Sequence, residues 1–131
     1  LKYKGSSNII GDRSFSKNPK IVSEIGNLCI DYCKNNSIGT VIKHIPGHGL
    51  AKSDSHHFTP IVNKSYNYLK RNDFKVFKSK NSLFAMTAHI IFKKIDPNNT
   101  VTHSKKLISI IRNQIKFKKI TKLQSVSIKL V

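Results

Sequence analysis

An α/β architecture with parallel strands is the fold class this sequence predicts. Three observations point there. Segments of helical spacing alternate with short β-branched or apolar runs over 131 residues, the length of one ordinary domain. The run "SLFAMTAHIIF" at 82–92 is continuously apolar, as in a parallel strand covered on both faces. Polar loops rich in histidine follow the strand-like runs, where doubly wound and barrel folds keep their chemistry.

The elements follow in order. Asn18 and Pro19 form an N-cap and first-turn signal, and Ile21, Ile25, Leu28 and Tyr32 then recur at helical spacing. This helix is expected to end within "KNNSIG", with Gly39 as its stop. "TVIKHI" at 40–45 predicts a strand, broken by Pro46, Gly47 and Gly49. A long loop to about Pro60 and a short helix over 65–71 come next. The apolar run at 82–92 forms the second strand, with His89 either lining a pocket or buried and satisfied. After the loop "IDPNNTVTHS", residues 103–115 predict an amphipathic helix carrying Leu107, Ile110, Ile111 and Ile115. "KKITKLQSVSIKLV" closes the chain as a strand. There is no internal repeat.

Composition limits the function classes. The formal charge is +18, which suggests an anionic partner such as nucleic acid or an acidic membrane surface. Against that, only Arg13, Arg71 and Arg112 are arginine, the residue favoured for base and bidentate phosphate recognition. The lysines are scattered rather than blocked. No nucleic-acid or membrane partner is therefore expected, and a basic nucleic-acid-binding protein is the weakest alternative. Cys29 and Cys33 lie four apart on one helix, a spacing that rarely suits a disulfide. Reduced thiols and the absence of a signal-peptide pattern fit a cytoplasmic location. The chain starts at Leu1 without an initiator methionine and is expected to be a segment of something longer.

Four of the six histidines fall in "KHIPGHGLAKSDSHH" at 43–57. Asp54 and His56 are two apart, so in an extended loop they point to one side. An aspartate so placed can orient an imidazole and raise its pKa from roughly 6.5, which makes a general acid/base pair; a solvated turn is the plainer reading. His44 and His48 are separated by Pro46 and Gly47, so they cannot share a helix face as zinc-binding histidines do. A metal site from His44, His48, Asp54, His56 and His57 stays open on ligand type alone. Lys43 and His44 at a strand end suit a polar ligand, and Arg13 either clamps a ligand oxygen or pairs with Asp12.

"NIIGDRSFSKNP", "KHIPGHGLAKSDSHH", "FAMTAHIIF" and "IDPNNTVTHSKKLISIIRNQIKF" occur here in a characteristic order. Together they resemble the catalytic domain of the bacterial β-N-acetylhexosaminidases of glycoside hydrolase family three, over essentially the whole chain. The resemblance implies a (β/α)8 TIM-type barrel, of which residues 1–131 would be the central portion, without the N-terminal and C-terminal strands. It implies that Arg13, Lys43 and His44 bind N-acetylglucosamine, that His56 is the catalytic acid/base, and that Asp54 polarises it. The implied substrate is a muropeptide or saccharide with terminal β-linked N-acetylglucosamine, hydrolysed with retention. No metal or organic cofactor is implied.

The chain departs from the family's pattern at its end. The family's Gly-x-x-x-Ser-Asp-Asp stretch, which carries the nucleophile, aligns with "KITKLQSVSI", placing Gln124 and Ser125 at the two aspartates. Neither is an anionic nucleophile. They are either true replacements or the product of a shifted reading frame. The isolated chain is expected to be inactive, and a non-catalytic sugar-binding remnant is the main alternative function. Part of a barrel also leaves strand edges and apolar faces open.

Overall fold

The computed structural model describes residues 1, 3–5, 14–53, 58–118 and 120–121. The first helix, α1 (Pro19–Asn35), starts as expected, with the Asn18 side chain accepting from the Lys20 N–H and Pro19 in the first turn. It stops short of Gly39. Ser37 takes the left-handed turn at φ 58°, the Ile38 N–H donates to the Cys33 carbonyl and the Ser37 N–H to that of Lys34. That double bond pattern closes the helix without glycine.

The expected apolar stripe of α1 is not its buried face. Leu28 and Tyr32 are 68% and 71% exposed, whereas Val22 and Ile30 are buried. Helical spacing identifies a helix, but the neighbours decide which of two adjacent stripes is covered. Here α1 packs mainly on α3 (Asp73–Phe77), a short helix absent from the sequence reading.

The strand β1 (Val41–Ile45) pairs in parallel with β3 (Phe84–Thr87), and β3 pairs in parallel with β5 (Ile120–Thr121), in the order β1-β3-β5. The parallel α/β class is therefore as predicted. The single apolar strand at 82–92 is not. It divides into β3 and β4 (Ile91–Phe92), and β4 joins a second parallel pair with β2 (Ile61–Val62). Between them Ala88 donates its N–H to the Ile45 carbonyl at 2.7 Å, and the Ile90 carbonyl accepts from Val101 at 2.9 Å. Ala88, Ile90 and Phe92 are all buried. Leu83 and Phe84 at its start are exposed, so the apolar run marks burial only from Ala85 on, and that burial does not require one uninterrupted strand.

The helix α2 (Tyr66–Arg71) is capped by Ser65, and α4 (Lys105–Asn113) by Ser104. Leu107, Ile111 and Ile115 enter a core with Ile45, Leu69, Phe74, Ala85, Ile90, Phe92 and Val101. This core holds the C-terminal ends of β1 and β3 in place.

Candidate active site

Lys43 and His44 lie at the C-terminal end of β1. Their spacing to the sheet is set by an irregularity: Lys43 pairs with Met86, but Ile45 pairs with Thr87, so His44 stands outside the regular ladder. The peptides Lys43–His44 and Ile45–Pro46 are both cis. Two successive turns follow, with the Gly47 N–H donating to the His44 carbonyl at 2.8 Å and the Ala51 N–H to that of His48 at 3.0 Å. They bring the His44 and His48 rings within 5.5 Å, centroid to centroid, inclined at 54°. Lys43 is exposed, whereas His44 and His48 are half-buried.

These residues line a cavity of about 360 Å³ whose lining also includes Phe15 and, from α1, Cys29 and Cys33. Ser14 also lines it, and its hydroxyl is buried without a hydrogen-bond partner among the described residues. Lys80 is also part of the lining, its ammonium donating to the Ser23 carbonyl, the Ser23 hydroxyl and Asn27 Oδ1 at 2.8, 2.6 and 2.7 Å. Burial lowers its pKa. Cys29 and Cys33 are free thiols, as expected from their spacing.

Asp73, the first residue of α3, forms part of the cavity wall and was missed in the sequence. It is 3% exposed and accepts a 3.0 Å hydrogen bond from the Tyr3 hydroxyl. Burial pushes its carboxyl up to about 6, against the opposing hydrogen bond from Tyr3 and the charge of the Leu1 ammonium. Tyr3 is itself pushed upward, first by burial and then by the Asp73 charge. The one signal in the sequence was scarcity: the chain has only six acids, so an isolated aspartate invites a role.

His89 is exposed beyond β3, not buried, with its ring 6.0 Å from that of His103. His103 is held by the Thr100 hydroxyl at 2.9 Å from its Nδ1. Arg13, Asp54, His56, His57, Gln124 and Ser125 lie outside the described residues. Among the described residues no three histidine, cysteine, aspartate or glutamate side chains gather as a metal site would need. No helix among them is long and apolar enough to cross a membrane.

The half-buried histidines and the lysine beside a cavity at a parallel strand's C-terminal end fit an enzyme-type site. Comparison with known proteins decides its lineage. Residues 4–130 match the Glycosyl hydrolase family 3 N terminal domain. The chain belongs to glycosyl hydrolase family 3. A Beta-hexosaminidase of Nitrosomonas eutropha is 33% identical over 115 residues, covering 86% of this chain and 33% of the relative. NagZ of Neisseria gonorrhoeae, in complex with N-trifluoroacetyl-D-glucosamine, superposes with a TM-score of 0.83 at 30% identity, over 92% of this chain and 36% of that one. Zinc-bound CbsA of Thermotoga neapolitana gives 0.81 at 33% identity, over 89% and 26%. The chain thus spans about a third of the length of the curated relatives it matches. Its fold is the expected one for this family, mixed α/β and part of a TIM-type barrel.

Proposed function

We propose that this chain supplies the sugar-binding and proton-transfer side of a β-N-acetylhexosaminidase that releases terminal, non-reducing β-linked N-acetylglucosamine from peptidoglycan fragments in the cytoplasm. The observation that carries it is the placement of Lys43 and His44 beside the cavity at the end of β1, in a chain of this family. Arg13, Lys43 and His44 hold the sugar. His56, polarised by Asp54, protonates the leaving glycosidic oxygen while a carboxylate attacks the anomeric carbon. The resulting glycosyl-enzyme is hydrolysed by a water that His56 deprotonates, so configuration is retained. Gln124 and Ser125 stand where that carboxylate is expected, so this chain alone provides binding and the acid/base but no nucleophile.

A titration of the chain with N-acetylglucosamine, followed by amide chemical shifts, tests the binding half. His44→Ala should weaken binding about tenfold, the loss of one or two hydrogen bonds. No shift at Lys43 or His44 at saturating sugar would refute the site. An aryl β-N-acetylglucosaminide tests the chemical half. No turnover is expected from the wild-type chain, and turnover that survives His56→Ala would end the assignment of His56. A purely sugar-binding role is the second reading, favoured by Gln124 and Ser125.

A further inference from the structure

Three segments meet at one buried carboxylate. Asp73 stands at the start of α3, bonded to Tyr3 of the N-terminal segment. Gly47 lies flat against its side chain: a Cβ on Gly47, whose φ is +144°, would stand 2.7 Å from Asp73 Cβ and 3.1 Å from Oδ1. Gly49 in turn lies against Leu1, where an added Cβ would stand 2.3 Å from the Leu1 carbonyl oxygen. The N-terminal segment and the Pro46–Gly47–His48 turn are therefore stacked on each other and on Asp73. In sequence, one arm leads from this junction to Arg13, the other leads back to Lys43 and His44 and forward to Asp54 and His56.

We infer that Asp73 is a positioning residue, whose buried carboxylate keeps the Tyr3 segment and the Pro46–Gly47–His48 turn in register so that Lys43 and His44 keep their place on the cavity wall. Its use in sugar binding rests on the function proposed above; its hold on the turn does not. An ionised carboxylate is an expensive group to bury, and no lysine or arginine forms an ion pair with it among the described residues. A neutral or apolar side chain would fill the same space at less cost. What the carboxylate adds is a charge-assisted acceptor for the Tyr3 hydroxyl and a negative field at the cavity shared with Lys43, His44 and His48. The charged group facing it is the Leu1 ammonium, whose charge favours the carboxylate, and Tyr68 of α2 lies next to Tyr3.

The test uses the full chain without ligand, as wild type, Asp73→Asn and Tyr3→Phe. The Asp73 side-chain carbon and the Tyr3 and Gly47 amides are followed by NMR from about pH 4.5 to 7.5, with the His44 and His48 rings recorded alongside. In the wild type the carboxyl carbon and both amides should step together, with one midpoint. Asp73→Asn should abolish the step at both amides, and Tyr3→Phe should move it to higher pH by removing a donor to the carboxylate. Amides that track only the histidine rings, in wild type and Asp73→Asn alike, would overturn the inference. If Asp73→Asn does not fold, the displacement in Tyr3→Phe decides. N-acetylglucosamine is then added: a tenfold or greater loss of affinity in Asp73→Asn supports the role in binding, and affinity within twofold of wild type removes it. A wild-type chain that shows the step but binds no sugar refutes the proposed function and leaves Asp73 as the holder of the turn.

Discussion

Gly47 and Asp73 show how single residues decide the geometry around Lys43 and His44. Gly47→Ala adds one methyl group where the neighbouring carboxyl leaves no room, at a φ of +144° that side chains avoid. The substitution should cost at least about 2 kcal/mol in urea unfolding, from strain and steric conflict together. Asp73 gives a pH dependence of definite sign. Its folded pKa is raised, to about 6, so the folded state holds the proton more tightly than the unfolded one. The group's contribution to stability is full below about pH 4 and is lost as pH rises through about 6. Asp73→Asn should flatten that fall and, at neutral pH, be more stable than wild type by up to about 3 kcal/mol. Urea midpoints of both proteins from acid to neutral pH check it. None of this was legible in the sequence, because Asp73 and Gly47 are far apart along the chain and their contact exists only once α3 has docked under the turn. Lys43 and His44 were legible, because a β-branched run ending at Pro46 and Gly47 puts its last residues at a strand end by local chemistry alone.

At the scale of elements, caps and ends were predicted better than faces. Asn18 was identified as a cap because its interactions are local, and the same chemistry caps α4. There Ser104 is fully buried, accepts from the Leu107 N–H at 3.1 Å and donates to Asp96 Oδ2 at 2.7 Å. That bond, with others from Asn98 and Asn99, lowers the Asp96 pKa. Ser104→Ala should cost about 1–2 kcal/mol, since it removes a cap and strips a partner from the carboxylate. The Asp96 effect has the opposite sign to that of Asp73. A depressed carboxyl stabilises above its unfolded pKa of about 3.9 and loses that contribution as pH falls further. In Ser104→Ala, acid unfolding should begin at a higher pH, as circular dichroism would show. The face of α1 and the splitting of the 82–92 run escaped the sequence reading because both depend on which neighbour covers which side.

For the whole molecule, charge and the open edge of the sheet make two further expectations. With +18 formal charges and Lys20–Glu24 at 4.0 Å as the single ion pair among the described residues, self-repulsion opposes the compact state. Raising salt from about 0.01 to 0.15 M shortens the screening length from about 30 to 8 Å and should raise the melting temperature. A fall on adding salt would show that specific ion pairs dominate instead. The edge is visible in β1, which has a described neighbour only in β3. The Phe84 N–H donates to the Thr40 carbonyl, so Thr40 and Ile42 turn toward β3, and Val41 and Lys43 turn away. The Val41 and Lys43 amides should therefore exchange with solvent faster than that of Ile42. Equal protection at all three would mean that another strand covers the edge.

The sequence by itself determined the class of fold, the order of its main helices and strands, and the family. Those follow from local periodicity, caps and turn residues, and from motifs whose order along the chain is itself the signal. The tertiary structure alone decided that α1 buries Val22 and Ile30 rather than Leu28 and Tyr32, that one apolar run serves two sheets, and that Tyr3, Gly47 and Asp73 meet beneath the lysine and histidine of the site. The physical reason is common to all three. Burial and close contact are properties of pairs of surfaces, and residues far apart in sequence acquire them only when the elements pack.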